Sequence, residues 1–134
     1  MSCSWKPNLF AHPHVIEPVD EIESENGNRA VVYYSLGNFV SRQKEAKNLL
    51  GGEAKLVFTK NGKKKDVSAS FTPVVTQYDY NSRNFCVYKL KDYNDTLAAA
   101  HGINLYDGKL TKARFENIFT EVMKNTPKDI LLDY

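Results

Sequence analysis

Two histidines separated by one residue offer the clearest metal-binding chemistry in this sequence. They lie in the segment Ala11-His12-Pro13-His14-Val15. In an extended chain, residues two apart point to the same side, with Cα atoms roughly 6.5 Å apart. Pro13 fixes its own φ and disfavours the helical region for His12, so an extended segment is predicted here. The two imidazoles could then converge on one metal ion or on a pair of ions.

The same spacing also fits two surface histidines beside a turn proline, because so short a motif often matches by chance. A complete hydrolytic site needs carboxylate or further ligands as well. Acidic residues follow the histidines closely, at Glu17, Asp20, Glu21, Glu23 and Glu25. Their loop-like setting, which ends in the turn signal Asn26-Gly27-Asn28, favours a solvated acidic stretch over metal ligation.

A second polar feature interrupts the apolar run from Ala30 to Val40. Ser35 and Asn38 stand within it, and Gly37 indicates a bend or a close approach of the backbone. Because buried polar groups need partners, Asn38 could orient a ligand-bearing loop or contact a substrate oxygen. The simpler interpretation is that Ser35 and Asn38 end the strand.

Other catalytic signatures are absent from the sequence: there is no nucleophile elbow, phosphate-binding glycine loop, dinucleotide fingerprint or HExxH zinc motif. The third histidine, His101, stands near the C-terminal end of a short predicted helix. A favourable contact with the helix dipole is a simpler interpretation of it than catalysis.

The elements expected to position these residues begin with an extended segment from Leu9 to Val19, which overlaps an acidic loop over 17–28. The run from Ala30 to Val40 predicts a strand covered on both faces. Ser41 is a candidate cap for a short helix that runs to Leu50 and is stopped by Gly51-Gly52.

The clearest hairpin follows, with strands over 53–60 and 66–75 joined by Asn61-Gly62. Another strand is predicted over 85–90, and a short helix capped by Asn94 or Asp95 over the residues up to His101. The last element is an amphipathic helix that is capped by Thr111 and ended by Pro127. Its apolar stripe has helical spacing and is expected to face the core: Phe115, Ile118, Phe119, Val122 and Met123.

Length and composition indicate one soluble globular domain over residues 1–134, with 42% apolar and 25% charged residues. The net charge of +2 gives no reason to expect nucleic acid, and Lys63-Lys64-Lys65 is interpreted as a solvated hairpin tip. No apolar run reaches the roughly 20 residues of a membrane span, and no secretion signal is recognised. Cys3 and Cys86 form neither a disulfide framework nor a CxxC pair, and Cys86 is expected to be buried.

The histidine pair and the polar residues Ser35 and Asn38 together indicate a family more specifically than either feature does alone. The segments His12-Pro13-His14-Val15 and Tyr34-Ser35-Leu36-Gly37-Asn38-Phe39 resemble paired C-terminal motifs of the CapA/PgsA family of capsule and poly-γ-glutamate biosynthesis proteins, from about residue 9 onward. That family has a calcineurin-like metallophosphoesterase fold and works at the bacterial cell envelope. The resemblance implies that His12 and His14 ligate a divalent metal (Mn, Fe or Zn), and that Ser35, Gly37 and Asn38 support the site.

The family's aspartate motifs and catalytic histidine would all precede His12, and residues 1–10 hold nothing that replaces them. The resemblance therefore implies the C-terminal portion of a larger domain, with no catalytic residue of its own and with weak metal binding or none when alone. Its partner would be the N-terminal portion or a second copy, and its ligand a phosphate ester or an anionic polymer. Whether the chain is an enzyme stays open, and the alternative is a non-catalytic binding or interaction module of the cell envelope.

The expected architecture is α+β: the C-terminal share of an αββα sandwich, with mostly antiparallel strands and one long amphipathic helix at the end. Such a half-sandwich would expose apolar faces, so dimerisation or strand exchange is expected.

Overall fold

The computed structural model describes residues 8–9, 13–62, 64–103 and 108–134. These parts form seven strands: β1 (Asn8–Leu9), β2 (Val19–Glu23), β3 (Arg29–Tyr33), β4 (Leu50–Asn61), β5 (Lys64–Asp79), β6 (Asn84–Lys89) and β7 (Leu131–Leu132). They also form three α-helices and a 3₁₀ turn: α1 (Ala46–Leu49), α2 (Asp95–Ala99), α3 (Lys112–Met123) and the turn Leu90–Asp92.

The first sheet has the strand order β1-β3-β2. β1 lies parallel to β3, and β2 runs antiparallel to β3 from Val19 opposite Tyr33 to Glu23 opposite Arg29. β2 and β3 are joined by a turn in which Gly27 has a φ of +72°. That positive φ explains the glycine, because residues with a Cβ rarely adopt it.

The second sheet is built around the 16-residue strand β5. β4 pairs antiparallel along one edge of β5, and β6 pairs antiparallel with its C-terminal end. β7 adds two residues in parallel, with Ser70 opposite Leu131 and Phe71 opposite Leu132. The chain therefore crosses from the end of α3 back to the middle of β5.

Aromatic residues tie the two sheets and the last helix together. The ring of Phe71 stacks on Tyr33 of the first sheet and on Phe119 of α3, at centroid distances of 6.4 and 5.9 Å. Phe115, one turn before Phe119, meets the ring of Tyr93 edge-on at 5.5 Å. All of these rings are almost fully buried, so the core lies between the sheets and α3.

The predicted α+β class with more strand than helix is confirmed. The predicted hairpin and the strand close to 85–90 are also confirmed. The structure further confirms that β3 is buried on both faces, at Val31, Val32 and Tyr33, and that the apolar stripe of α3 faces the core. Asn94 and Thr111 cap their helices as predicted, accepting hydrogen bonds from Leu97 N and Arg114 N at 3.0 and 3.1 Å. Of the basic hairpin tip, Lys63 and the side chains of Lys64 and Lys65 lie outside the described residues.

Four predictions about elements are wrong in part. Residues 19–23 of the predicted acidic loop form β2, because pairing with β3 overrides their polar composition. The strand predicted over 30–40 ends at Tyr33, beyond which the backbone bends. Within the α-helix predicted over 41–50, only the residues of α1 are α-helical. The last helix, α3, ends at Met123 and does not extend to Pro127.

The two glycines that were expected to stop the helix after Leu50 instead belong to β4. A Cβ on Gly52 would lie 1.9 Å from the Phe71 ring, and a Cβ on Gly51 would lie 2.0 Å from the carbonyl oxygen of Asn38. Glycine is therefore required at both positions by close approach of neighbouring groups, and not by a helix end.

Candidate functional site at His14 and Asn38

The structure brings together His14 and Asn38, two of the residues singled out from the sequence. His14 Nδ1 lies 2.7 Å from Asn38 Oδ1. The amide nitrogen of Asn38 faces three oxygens, His14 O at 3.1 Å, Asn48 O at 3.0 Å and Gln43 Oε1 at 3.3 Å. Asn48 Nδ2 also donates to His14 O, at 3.1 Å. Asn38 is thus held on several sides beside the imidazole.

This network assigns the tautomer of His14. The carbonyl oxygens of His14 and Asn48 can only accept hydrogen bonds, so the NH₂ group of Asn38 must face them. Asn38 Oδ1 then faces the imidazole and can only accept, so Nδ1 of His14 must carry the hydrogen. In the neutral ring the lone pair is consequently on Nε2. A metal-ligating histidine has this arrangement, with one ring nitrogen fixed by a hydrogen bond and the other presented to the metal.

The backbone around Asn38 is placed by glycine. Gly37 has a φ of +65°, and it forms an isolated antiparallel bridge with Gly51 at the start of β4. A Cβ on Gly37 would lie 2.9 Å from Leu50 O and 3.0 Å from Ile16 N. The predicted bend and close approach at Gly37 are confirmed, and they bring the His14 segment, the Asn38 bend and β4 into contact.

Ser35 supports this bend from inside. It is fully buried, and its Oγ accepts a hydrogen bond from Gly37 N at 3.1 Å. Its carbonyl oxygen accepts from Glu17 N at 3.1 Å, which ties the bend to the chain that follows His14. Ser35 therefore holds the backbone in shape while Asn38 holds the imidazole.

The predicted extended geometry at the histidine pair is wrong at His14. His14 has a φ of +60° and lies in a bend, so the chain is not extended there. A left-handed φ costs a residue with a Cβ roughly 1–2 kcal/mol. The hydrogen bonds that Asn38 and Asn48 make to His14 O offset part of that cost. His12 lies outside the described residues.

Of the acidic residues that follow the histidines, Glu21 is engaged elsewhere, and Glu23 and Glu25 are exposed. Glu21 pairs with Arg29 on the facing strand, and Arg29 also contacts Asp129 at 3.3 Å. Desolvation by burial raises the pKa of Glu21 above its ordinary value, against the lowering effect of Arg29. Within the described parts of the chain, no three His, Cys, Asp or Glu side chains are grouped as a metal site.

His101 does not contact a helix end as a cation, so that interpretation is wrong. It is buried, and burial lowers its pKa below the ordinary value despite a hydrogen bond to Thr76. Its Nδ1 accepts from Ile103 N at 3.0 Å, so Nε2 carries the hydrogen and donates to Thr76 O at 2.9 Å. A neutral His101 therefore joins the segment after α2 to β5.

Cys86, which was expected to be buried, is exposed. Cys86 belongs to β6 and lies opposite Gln77 of β5. Both faces of β6 are partly open to solvent. The apolar neighbours in sequence did not reveal which side of the sheet the thiol would occupy.

Comparison of the chain with protein-family models, with curated proteins and with solved structures gives no match. No helix in the described parts of the chain is long and apolar enough to cross a membrane.

Proposed function

We propose that this chain is the C-terminal portion of a metallophosphoesterase-like protein related to capsule and poly-γ-glutamate synthesis. In this proposal it supplies the histidine side of a divalent-metal site, with His12 and His14 as ligands and Asn38 as the residue that orients His14. The complete domain, an αββα sandwich, would hydrolyse phosphate esters. The chain alone would be inactive.

The observation that carries the proposal is the hydrogen bond from His14 Nδ1 to Asn38 Oδ1 at 2.7 Å. It selects the tautomer whose Nε2 can bind a metal, and the contacts of the Asn38 amide with His14 O and Asn48 O keep it in place. His14 is exposed, and an exposed histidine would need none of these supports in order to be hydrated. The positive φ of His14 agrees with this, since backbone strain concentrates at functional sites.

A bound divalent metal would act as a Lewis acid on a phosphoryl oxygen and lower the pKa of a bound water. In this chain, Asn38 would keep the imidazole oriented, and the Gly37–Gly51 bridge would fix the distance between the bend and β4. The similarity of both sequence segments to the CapA/PgsA motifs supports the same assignment of roles.

Metal titration followed by NMR tests the proposal. Adding Zn²⁺ or Mn²⁺ to the whole chain should perturb the resonances of His12 and His14 at high metal concentration, and H12A and H14A should each remove the response. Glu25→Gln, which removes an exposed acid from the β2–β3 turn, serves as the control and should respond like the wild type. An undiminished metal response in both histidine variants would refute the metal site.

Reconstitution tests the claim that the site is shared. Co-expression with an N-terminal portion that carries the aspartate motifs should restore tight metal binding, and with it metal-dependent hydrolysis of a phosphate ester. A high Mn²⁺-dependent turnover by the 134 residues alone would show that this part of the proposal is wrong.

The alternative, a non-catalytic envelope module, is favoured by one observation. The end of the β4–β5 hairpin carries the apolar residues Val57 and Phe58 with exposed fractions of 44% and 61%. Paired replacement of both by serine should abolish partner binding if this hairpin is the interaction surface, whereas H14A should leave it unchanged. Loss of partner binding in H14A, with the hairpin variant unaffected, would exclude the hairpin as the interaction surface.

A further inference from the structure

A cleft of about 540 Å³ opens beside the turn between β5 and β6, and no sequence motif pointed to it. Six residues line it: Arg42, Tyr78, Tyr80, Asn81, Arg83 and Phe85. Two arginines and no acidic side chain are among these residues. Its volume lies within the range of about 300–1,000 Å³ that is usual for small-molecule sites.

Arg42 is held in place by an aromatic stack. Its guanidinium carbon lies 5.8 Å from the centre of the Tyr78 ring, and Tyr78 stacks on Phe85 at 4.8 Å. Tyr78 and Phe85 are partners across β5 and β6, so the stack is part of the sheet. A guanidinium packed on an aromatic face keeps its N–H groups available for an anion.

Arg83 approaches the cleft from a strained turn. It has a φ of +56°, a value that favours glycine or asparagine. The turn is fixed by Asp79, whose Oδ1 accepts hydrogen bonds from Asn81 N at 2.8 Å and Ser82 N at 3.0 Å. These bonds lower the pKa of Asp79 below its ordinary value and engage its carboxylate with the turn amides.

In the described parts of the chain, neither Arg42 nor Arg83 forms an ion pair, although Arg29, Lys91 and Lys112 each do. A smaller cavity of about 120 Å³ shares Arg42, Tyr78 and Tyr80 with the cleft. Two cations therefore face one cleft without a neutralising group there, and the exposed ring of Tyr80 provides a flat wall beside them.

We propose that this cleft binds a phosphate group carried on a sugar ring. The two guanidinium groups are suited to a phosphate because they can donate paired, charge-assisted hydrogen bonds. Tyr80 would pack against the ring that bears the phosphate, and Asn81 would donate to or accept from its hydroxyl groups. The proposal does not depend on metal at His14, so the two sites can succeed or fail separately.

NMR titration of the whole chain in the presence of EDTA tests the cleft, with glucose 6-phosphate as the probe. Glucose 6-phosphate should bind saturably and shift the amide resonances of residues 42 and 78–85, inorganic phosphate should bind more weakly, and glucose should not bind. Raising the salt concentration should weaken binding, because the interaction is largely electrostatic.

Two variants and a matched control locate the site. Arg42→Gln and Arg83→Gly should each weaken glucose 6-phosphate binding on the order of tenfold, as expected for loss of a charge-assisted hydrogen bond. Arg83→Gly should also keep or raise the thermal stability, because glycine tolerates the positive φ, so its loss of binding cannot be attributed to unfolding. Lys55→Gln, which removes one positive charge from β4 outside the cleft, should bind like the wild type. The proposal is wrong if glucose 6-phosphate does not bind, or if Lys55→Gln weakens binding as much as the two arginine variants.

Discussion

Replacing Gly51 by alanine should disrupt the contact that places Asn38 beside His14. An added Cβ would lie 2.0 Å from Asn38 O and 2.9 Å from the Asn38 carbonyl carbon, both of them backbone atoms that no rotamer change can move. The bend and the start of β4 must therefore separate by about 1 Å or more to reach ordinary contact distance.

The cost can be estimated from what this separation breaks. Overpacking in a well-packed region costs typically about 1–3 kcal/mol. The hydrogen bond from Gly52 N to Leu36 O, now 2.8 Å, would weaken at a further cost of about 1 kcal/mol. We therefore expect Gly51→Ala to lower the free energy of unfolding by roughly 2–4 kcal/mol.

Gly62→Ala at the hairpin turn is the matched control. A Cβ at Gly62 would meet no atom within 4 Å, so only its φ of +60° opposes the substitution, at a cost of about 1 kcal/mol. Urea unfolding followed by circular dichroism measures both variants. If Gly51→Ala is no more destabilising than Gly62→Ala, the close approach of β4 to Asn38 does not exist as described.

Three further outcomes are expected. Tyr93→Phe removes the hydrogen bond from the Tyr93 hydroxyl to Gln77 Oε1 at 2.6 Å, and leaving that buried oxygen unpaired should cost about 1–3 kcal/mol in urea unfolding; an unchanged midpoint would contradict this. Because burial lowers the pKa of His101, the unfolded chain binds a proton below about pH 6.5 that the folded chain does not. The free energy of unfolding should therefore fall as the pH decreases from about 6.5, by at most about 1.4 kcal/mol per pH unit from this residue, and His101→Asn should lose that part of the dependence. Cys86 is exposed, so its thiol should react with a thiol reagent at a similar rate in the folded and the unfolded chain. Peptide mapping by mass spectrometry distinguishes this site from Cys3, and slow modification of Cys86 in the folded chain would contradict its exposure.

Elements with strong local signals could be predicted from the sequence. Asn61-Gly62 lies between two strand-like runs and forms the hairpin end, although the register pairs Asn61 with Lys64 and centres the turn one residue later than expected. The cap at Thr111 and the apolar stripe of α3 are also local features. Each depends on residues a few positions apart, which is the range within which sequence patterns are informative.

Features that depend on distant pairing could not be predicted in the same way. β2 has a polar sequence and becomes a strand because β3 provides its hydrogen-bonding partners. The two glycines after Leu50 gave a correct signal of special backbone geometry, but nothing local revealed that Asn38 and Phe71 were the groups that approach them.

The candidate site also combines residues that have a local sequence signal with residues that have none. Asn38 and the His14 segment were recognised from their own motifs, whereas Asn48 and Gln43, which face the Asn38 amide, carry no signal in the sequence. The arginine cleft was missed because Arg42 and Arg83 are 41 positions apart, and only the pairing of β5 with β6 and the contact of Arg42 with Tyr78 bring them together.

The position of the ring hydrogen on the His14 imidazole tests the assignment of His14 as a metal ligand most directly. Long-range ¹H–¹⁵N correlation spectra of the imidazoles, recorded at alkaline pH, distinguish a hydrogen on Nδ1 from a hydrogen on Nε2. We expect His14 in the Nδ1–H form, with its Nε2 resonance displaced when Zn²⁺ is added, and we expect Asn38→Ala to lose the preference for that form. A His14 ring in the Nε2–H form, unaffected by Zn²⁺, would contradict its assignment as a metal ligand.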